Sequence, residues 1–263
     1  MDSYLNFSYI IVGFIVGACT AYSGVGAGAI TTPLLIFLGV TTSKAIGSDL
    51  LFALGTRLVA MIAHVQKRTV QVSVLWRLSL GGFPAAIIGV ILSAQLHKML
   101  DIRQLESILR LAVAAALLVS AGGIIFNRRL ARDQSERTAT ELPTLRLAAI
   151  GFFVGLTVSI TSIGAGSLTL PLLLMAAPIV ALRRLVGTDL AFAVVVLVPS
   201  LVGHWQLGDV NPSIAGSLLL GSIPGVFVGS HFVTRLPERW FRSALAGVLV
   251  VVALALSIPV HHA

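Results

Sequence analysis

Ser23-Gly24-Val25-Gly26-Ala27-Gly28 and Thr161-Ser162-Ile163-Gly164-Ala165-Gly166-Ser167 decide how this chain is read. Each sits inside an apolar run, 8–40 and 147–180, that is far longer than the ~20 residues a helix needs to cross a bilayer. Glycine weakens a helix and permits a turn. Each run is therefore either one long broken span or a hairpin that returns to the side it came from.

The two interruptions belong to a repeat. At one constant offset Gly13, Phe14, Val16 and Gly17 match Gly151, Phe152, Val154 and Gly155, and Gly26-Ala27-Gly28 matches Gly164-Ala165-Gly166. Thr31 and Pro33-Leu34-Leu35 match Thr169 and Pro171-Leu172-Leu173. After a two-residue insertion, Gly47, Asp49, Leu50, Phe52 and Ala53 match Gly187, Asp189, Leu190, Phe192 and Ala193. His64, Gln66, Gly81, Pro84 and Gly89 match His204, Gln206, Gly221, Pro224 and Gly229. So many ordered matches are not chance, and the chain reads as one unit written twice. Each copy holds three further apolar blocks of spanning length: 45–65, 73–96 and 105–126, then 186–204, 212–234 and 240–259.

Composition points the same way. The 263 residues are 57% hydrophobic and 11% charged, with mean hydropathy +0.99, where a soluble domain carries about 25% charged residues. Soluble, disordered and fibrous classes are excluded. The single Cys19 excludes a disulfide framework or a cysteine metal cage. The net charge of +8 is expected from cytoplasmic loops facing anionic lipid, not from nucleic acid. Met1–Phe7 has no Lys or Arg, so the first apolar segment is expected to stay in the protein.

Charge also chooses between span and hairpin. If the first block of each copy crosses once, nine Lys/Arg lie inside and eight outside. If each is a hairpin, the thirteen in segments 67–77, 128–146, 183–184 and 235–242 lie inside, and Lys44, Lys98, Arg103 and Arg110 outside. Cytoplasmic loops are rich in Lys and Arg, so the hairpin is preferred. Each copy then crosses three times, and the copies face opposite ways, as in many secondary transporters. The expected fold is an all-α polytopic membrane protein built from two inverted repeats. Each repeat is a glycine-broken helical hairpin plus three transmembrane helices. Residues 1–126 form the first repeat, 127–146 a cytoplasmic linker and 147–263 the second.

The tips carry the candidate chemistry. A helix start presents unpaired N–H groups and partial positive charge, which suit an anion, and hydroxyls add donors. The substrate path is expected along Ser23, Gly24, Gly26, Ala27 and Gly28 in the first tip, and Thr161, Ser162, Gly164, Ala165, Gly166 and Ser167 in the second. Pro33 and Pro171 are expected to help break the helices. The plainer alternative is that small residues only permit close helix packing.

Asp49 and Asp189 are intramembrane carboxylates, expensive to bury and expected to serve proton coupling or gating. Alternatively each caps its own helix, or Ser48 and Thr188 do so. Arg57 has no counterpart, because Leu197 stands there. It would neutralise an anion, pair with Asp49 or snorkel. His64 and His204 read as interfacial residues. His261-His262 lacks further ligands, so no metal site is expected, and no cofactor. No Walker loop and no convergent His, Glu or Cys cluster is present, so the chain is not expected to be an enzyme.

Gly-x-x-x-Gly, then Ser23-Gly24-Val25-Gly26-Ala27-Gly28-x-Ile30-x-x-Pro33, then Gly47-Ser48-Asp49-Leu50, repeated in weaker form, resembles the sulfite exporter TauE/SafE family. The second tip departs from the pattern, with Thr161-Ser162 where the first has Ser23-Gly24. The resemblance covers nearly the whole chain. It implies a bacterial or archaeal cytoplasmic membrane protein that moves sulfite, a sulfonate or a related small organic anion by secondary transport. The expected partners are that anion, the lipid bilayer and protons as coupling ion; a homo-oligomer is compatible with this reading. The alternative function is a passive anion channel or a membrane scaffold.

Overall fold

A computed structural model describes residues 6–23, 27–130, 144–177, 180–232 and 238–257. Gly24, Val25 and Gly26, most of the expected linker (131–143) and His261-His262 lie outside the described residues. Among the described residues all regular structure is helical. The helices are α1 (Phe7–Ser23), α2 (Gly28–Phe37), α3 (Thr42–Gln66), α4 (Val72–Met99) and α5 (Ile102–Leu130). They continue with α6 (Thr144–Thr161), α7 (Thr169–Ala176), α8 (Leu182–Gln206), α9 (Pro212–Phe232) and α10 (Glu238–Ser257). Among the described residues six helices, α3, α4, α5, α6, α8 and α9, are long and apolar enough to cross a membrane. Trp76, Phe83, Ile91, Phe227 and Val251 are exposed on the outside, as expected of a surface that faces lipid tails. The protein is a polytopic membrane protein.

Each long apolar run is divided into two helices, a long first arm (α1, α6) and a short second arm (α2, α7). Pro33 does not mark a break: it lies inside α2, which continues to Phe37. Past the first turn it forfeits one intrahelical hydrogen bond, yet the helix continues through it. α2 ends instead at Gly39, whose φ of 85° and N–H to the Ile36 carbonyl form a left-handed stop. α3 begins under a carboxylate cap from another helix. Glu106 of α5 accepts the N–H groups of Thr42 at 2.6 Å and Ser43 at 3.4 Å.

The tightest packing joins the two halves. A Cβ on Gly81 of α4 would meet the Ala148 carbonyl of α6, and one on Gly221 of α9 would meet the Ile10 carbonyl of α1. Backbones approach this closely only where side chains are absent. These two contacts involve matched positions, each first arm packing against the other half's third block. A further pair repeats the pattern. The Gln71 N–H donates to Thr188 Oγ1 at 2.9 Å, and the Asn211 N–H donates to Ser48 Oγ at 3.0 Å. Ser48 and Thr188 therefore do not cap their own helices. Each satisfies the backbone at the start of α9 or α4 in the opposite half.

Helix directions follow from which residues meet. Ile10, Phe14 and Ala18 face Gly221, Gly225 and Gly229 in turn, so α1 and α9 run parallel. Gly47 faces Asp209 and Gly55 faces Leu219, so α3 runs parallel to α9. α2 returns through 38–41 and touches α3 through Thr32 and Asp49, so it is antiparallel to α3. α1 and α2 hence run in opposite directions. Arg57 meets Asp189 while His64 lies against Gly187, so α3 and α8 cross antiparallel.

Candidate functional site

Asp49 and Asp189 are each the eighth residue of their helices, and both are buried. They lie two turns past any capping position, which overturns the helix-cap alternative. Asp49 Oδ2 accepts a hydrogen bond from Thr32 Oγ1 at 2.9 Å. Asp189 Oδ2 accepts from Arg57 Nη1 at 3.2 Å. The second oxygen of each carboxylate, Oδ1, has no protein partner among the described residues.

Arg57 is buried and does not snorkel, nor does it pair with Asp49. Because α3 and α8 are antiparallel, a residue two turns beyond Asp49 comes level with Asp189. Its Nη2 donates to the Ala165 carbonyl at 2.6 Å. One guanidinium thus joins the core of one half to both the carboxylate and the tip of the other.

The tips meet. A Cβ on Gly28, the first residue of α2, would strike the Ser162 carbonyl and come 3.0 Å from Asp49 Oδ2. Only glycine permits this approach. The second tip is made of left-handed residues: Ser162 has φ 59°, Gly164 φ 131° and Gly166 φ 86°. For Ser162 that conformation is costly and is held by its surroundings. Its buried Oγ has no hydrogen-bond partner among the described residues, although it lies beside the Asp49 carboxylate.

The other hydroxyls expected on the path are engaged locally. Thr161 Oγ1 donates to the Thr157 carbonyl at 2.7 Å and accepts the Ile163 N–H at 3.1 Å. Ser167 shares a 3.1 Å hydrogen bond with Ser120 of α5. The Gly164 carbonyl takes the N–H groups of Leu168 and Thr169, closing the start of α7 on itself. Ala27, half-buried, presents its carbonyl to the Thr31 hydroxyl at 3.0 Å. Gly24 and Gly26 lie outside the described residues, as does the side chain of Ser23. Thr32 and Ser120 were not singled out in the sequence. Thr32 stands one helical turn after Gly28, and Ser120 is a hydroxyl in an apolar block; both signals were available.

His204 departs from expectation. It is 1% exposed and hydrogen-bonded on both ring nitrogens, not interfacial, whereas its neighbour Trp205 is exposed. A groove of about 700 Å³ between α3, α4 and α8 is lined by Met61, Val65, Val72, Phe83 and Val198. Its walls are apolar and none of the tip residues reach it, so it does not enlarge the site.

The family profile described as Sulfite exporter TauE/SafE matches residues 9–256. A probable membrane transporter protein of Bacillus subtilis (strain 168), YjnA, is 32% identical over 257 residues, covering 96% of this chain and all of that protein. A second from the same organism, YdhB, is 24% identical over 238 residues, 90% of this chain and 94% of its own. A probable membrane transporter protein of Xylella fastidiosa (strain Temecula1 / ATCC 700964) is 26% identical over 253 residues, 93% of this chain and 91% of its own. No solved structure matches the chain.

Proposed function

The chain belongs to the sulfite exporter TauE/SafE family of membrane transporters, and from that premise we propose that it is a secondary carrier exporting a small anion such as sulfite or a sulfonate. The observation that carries this reading is the contact of Gly28 with Ser162 beside buried Asp49, with Arg57 bridging Asp189 and Ala165. Two glycine-bearing tips close on one another at a point where charge is concentrated inside an apolar bundle.

The charge count supplies a coupling scheme. Ionised, Asp49, Asp189 and Arg57 sum to one negative charge. An anion arriving at the tips would be repelled unless a proton neutralises Asp49, the carboxylate without a guanidinium. Proton and anion would then move together, so export proceeds where the anion's outward gradient exceeds the opposing proton gradient. The anion would be held by the Ser162 hydroxyl and by backbone N–H groups at the tips. Repeats 1–126 and 147–263, inverted with respect to each other and joined by a cytoplasmic linker at 127–146, would rock to expose the tips to either side. The antiparallel crossing of α3 and α8 and the reciprocal glycine contacts support that arrangement.

Flux into proteoliposomes tests the reading, with sulfite, thiosulfate, sulfonates and carboxylates offered across an imposed pH gradient. Saturable uptake that a proton gradient drives uphill is the expected result. Flux that neither saturates nor runs uphill would make the protein a channel. No flux with any anion from intact protein would make it a scaffold.

A further inference from the structure

Away from the tips, the proposed transport site leaves one titratable cluster unused. His204 Nε2 lies 2.9 Å from the Ser159 carbonyl, and its Nδ1 lies 2.9 Å from Asp209 Oδ2. His97 repeats the pattern, with Nδ1 2.8 Å from the Ser93 carbonyl and Nε2 3.2 Å from Asp209 Oδ1. A carbonyl oxygen only accepts, so His204 Nε2 and His97 Nδ1 each carry a hydrogen. The remaining nitrogen of each ring faces one carboxylate oxygen. Each of these two contacts needs a proton of its own to be a hydrogen bond. One proton short, a ring lone pair would face a carboxylate lone pair with little water to relieve it. With both in place, and each shared proton on the ring nitrogen, the more basic of the two atoms it joins, the cluster is two imidazoliums around one carboxylate.

We infer that His97, Asp209 and His204 form a proton-binding site, holding two shared protons in this conformation, that latches the ends of α4 and α8 to the foot of the second tip. The latch acts through Ser159, two residues before Thr161. Its carbonyl is held by His204, and its hydroxyl donates to the Ala86 carbonyl of α4 at 2.9 Å. His97, whose side chain is 22% exposed, is the port through which protons exchange with water. His204 and Asp209 are buried behind it. The first half has no such latch: at the matched positions His64 Nδ1 meets Thr69 Oγ1 at 2.8 Å, and Thr69 donates to the His64 carbonyl at 3.0 Å. A hydroxyl serves there without an added proton, so the device exists at one end of the molecule.

Few other charges bear on the cluster. α3 reaches it through Gly47, which packs on Asp209; its Lys44 is exposed and its Asp49 is bonded to Thr32. On α4, Lys98 beside His97 is exposed, as are Asp101 just past its end and Arg103 of α5, while Glu106 of α5 is bonded to the N–H groups of Thr42 and Ser43. The charged or titratable residues of α6 (Arg146), α8 (Arg183, Arg184, Asp189) and α9 (His231) lie toward the far ends of those helices.

The proton count stands apart from the transport reading, which enters only in what the latch is for. The test is nitrogen-15 NMR of histidine-labelled full-length protein in detergent between about pH 5 and 8, with signals assigned by His97→Gln and His204→Gln. At the acid end both rings should be doubly protonated. Asp209→Asn offers one donor and one acceptor, so it should reduce the two imidazoliums to one. Both rings singly protonated throughout, in the wild type, would overturn the site even if Asp209→Asn does not fold. So would an imidazolium count that Asp209→Asn leaves at two. Proteoliposome flux separates the two proposals: no flux beside an intact two-proton signal removes the carrier and keeps the site.

Discussion

Asp49 and Asp189 stand at the same step of matched helices, yet they keep different company. Asp49 is served by a neutral hydroxyl, Thr32, from its own half. Asp189 is served by a guanidinium, Arg57, from the other half. The backbone follows the repeat; the side-chain partners follow its departures. Leu197 replaces Arg57 at the matched place and is fully buried, so Asp49 receives no countercharge from α8. The ends of α3 and α8 differ in the same way, with Thr69 beside His64 and Asp209 beside His204. A repeated fold supplies two equivalent cradles, and single substitutions give them unequal chemistry.

The comparison breaks most sharply at Arg57. Arg57→Leu makes the two halves alike at this position but leaves Asp189 buried without a countercharge, at a cost of about 3–5 kcal/mol. Denaturant unfolding in detergent should register that loss, and Arg57→Leu with Asp189→Asn should recover most of it. A double mutant as unstable as the single one would mean that Arg57 acts through Ala165 rather than through the carboxylate.

Next come the glycine contacts, where the halves are expected to behave alike. Gly81→Ala and Gly221→Ala each force a methyl into a facing backbone and should cost about 1–3 kcal/mol. Thermal unfolding should show similar losses for the two. Gly247→Ala, with nothing within 4 Å of the new methyl, should be neutral or slightly stabilising. A large difference between Gly81 and Gly221 would show that the two crossings are not equivalent.

Thr32→Val removes the donor to Asp49 and should cost about 1.5–3 kcal/mol, the range of a hydrogen bond to a charged group. If Asp49 is already protonated under the conditions of the assay, the loss shrinks toward that of a neutral pair, so the same variant measured at two pH values sharpens the coupling scheme. Smallest are Ser48→Ala and Thr188→Val, each deleting one hydrogen bond between halves at about 1 kcal/mol. Hydrogen exchange at the Asn211 and Gln71 amides should rise in the respective variant and not in the other.

Much of this is legible in the sequence. The division of each overlong apolar run into two helices was visible as a glycine cluster. The pairing of Asp49 with Asp189 as matched buried carboxylates was visible because the repeat preserved them. Arg57 was legible as an anomaly but its partner was not, since that depends on how far α3 slides along α8. His204 looked interfacial because Trp205 beside it is. The next residue of a helix, however, points about 100° away, so one faces outward and the other inward to Ser159. Along the chain Ser48 and Thr188 are alternative candidates to cap their own helices, because the sequence cannot say which foreign backbone will end nearby.

The order of residues alone determined that the chain lives in a bilayer, that it is written twice and that each copy begins with a broken apolar run. Those properties are carried by composition and spacing, which act along the chain. That Arg57 meets Asp189, and that Gly28 closes against Ser162, was decided only when the two halves packed. A contact between residues more than a hundred positions apart is set by the crossing of rigid helices, and a shift of one turn, about 5.4 Å, would reassign every one of them.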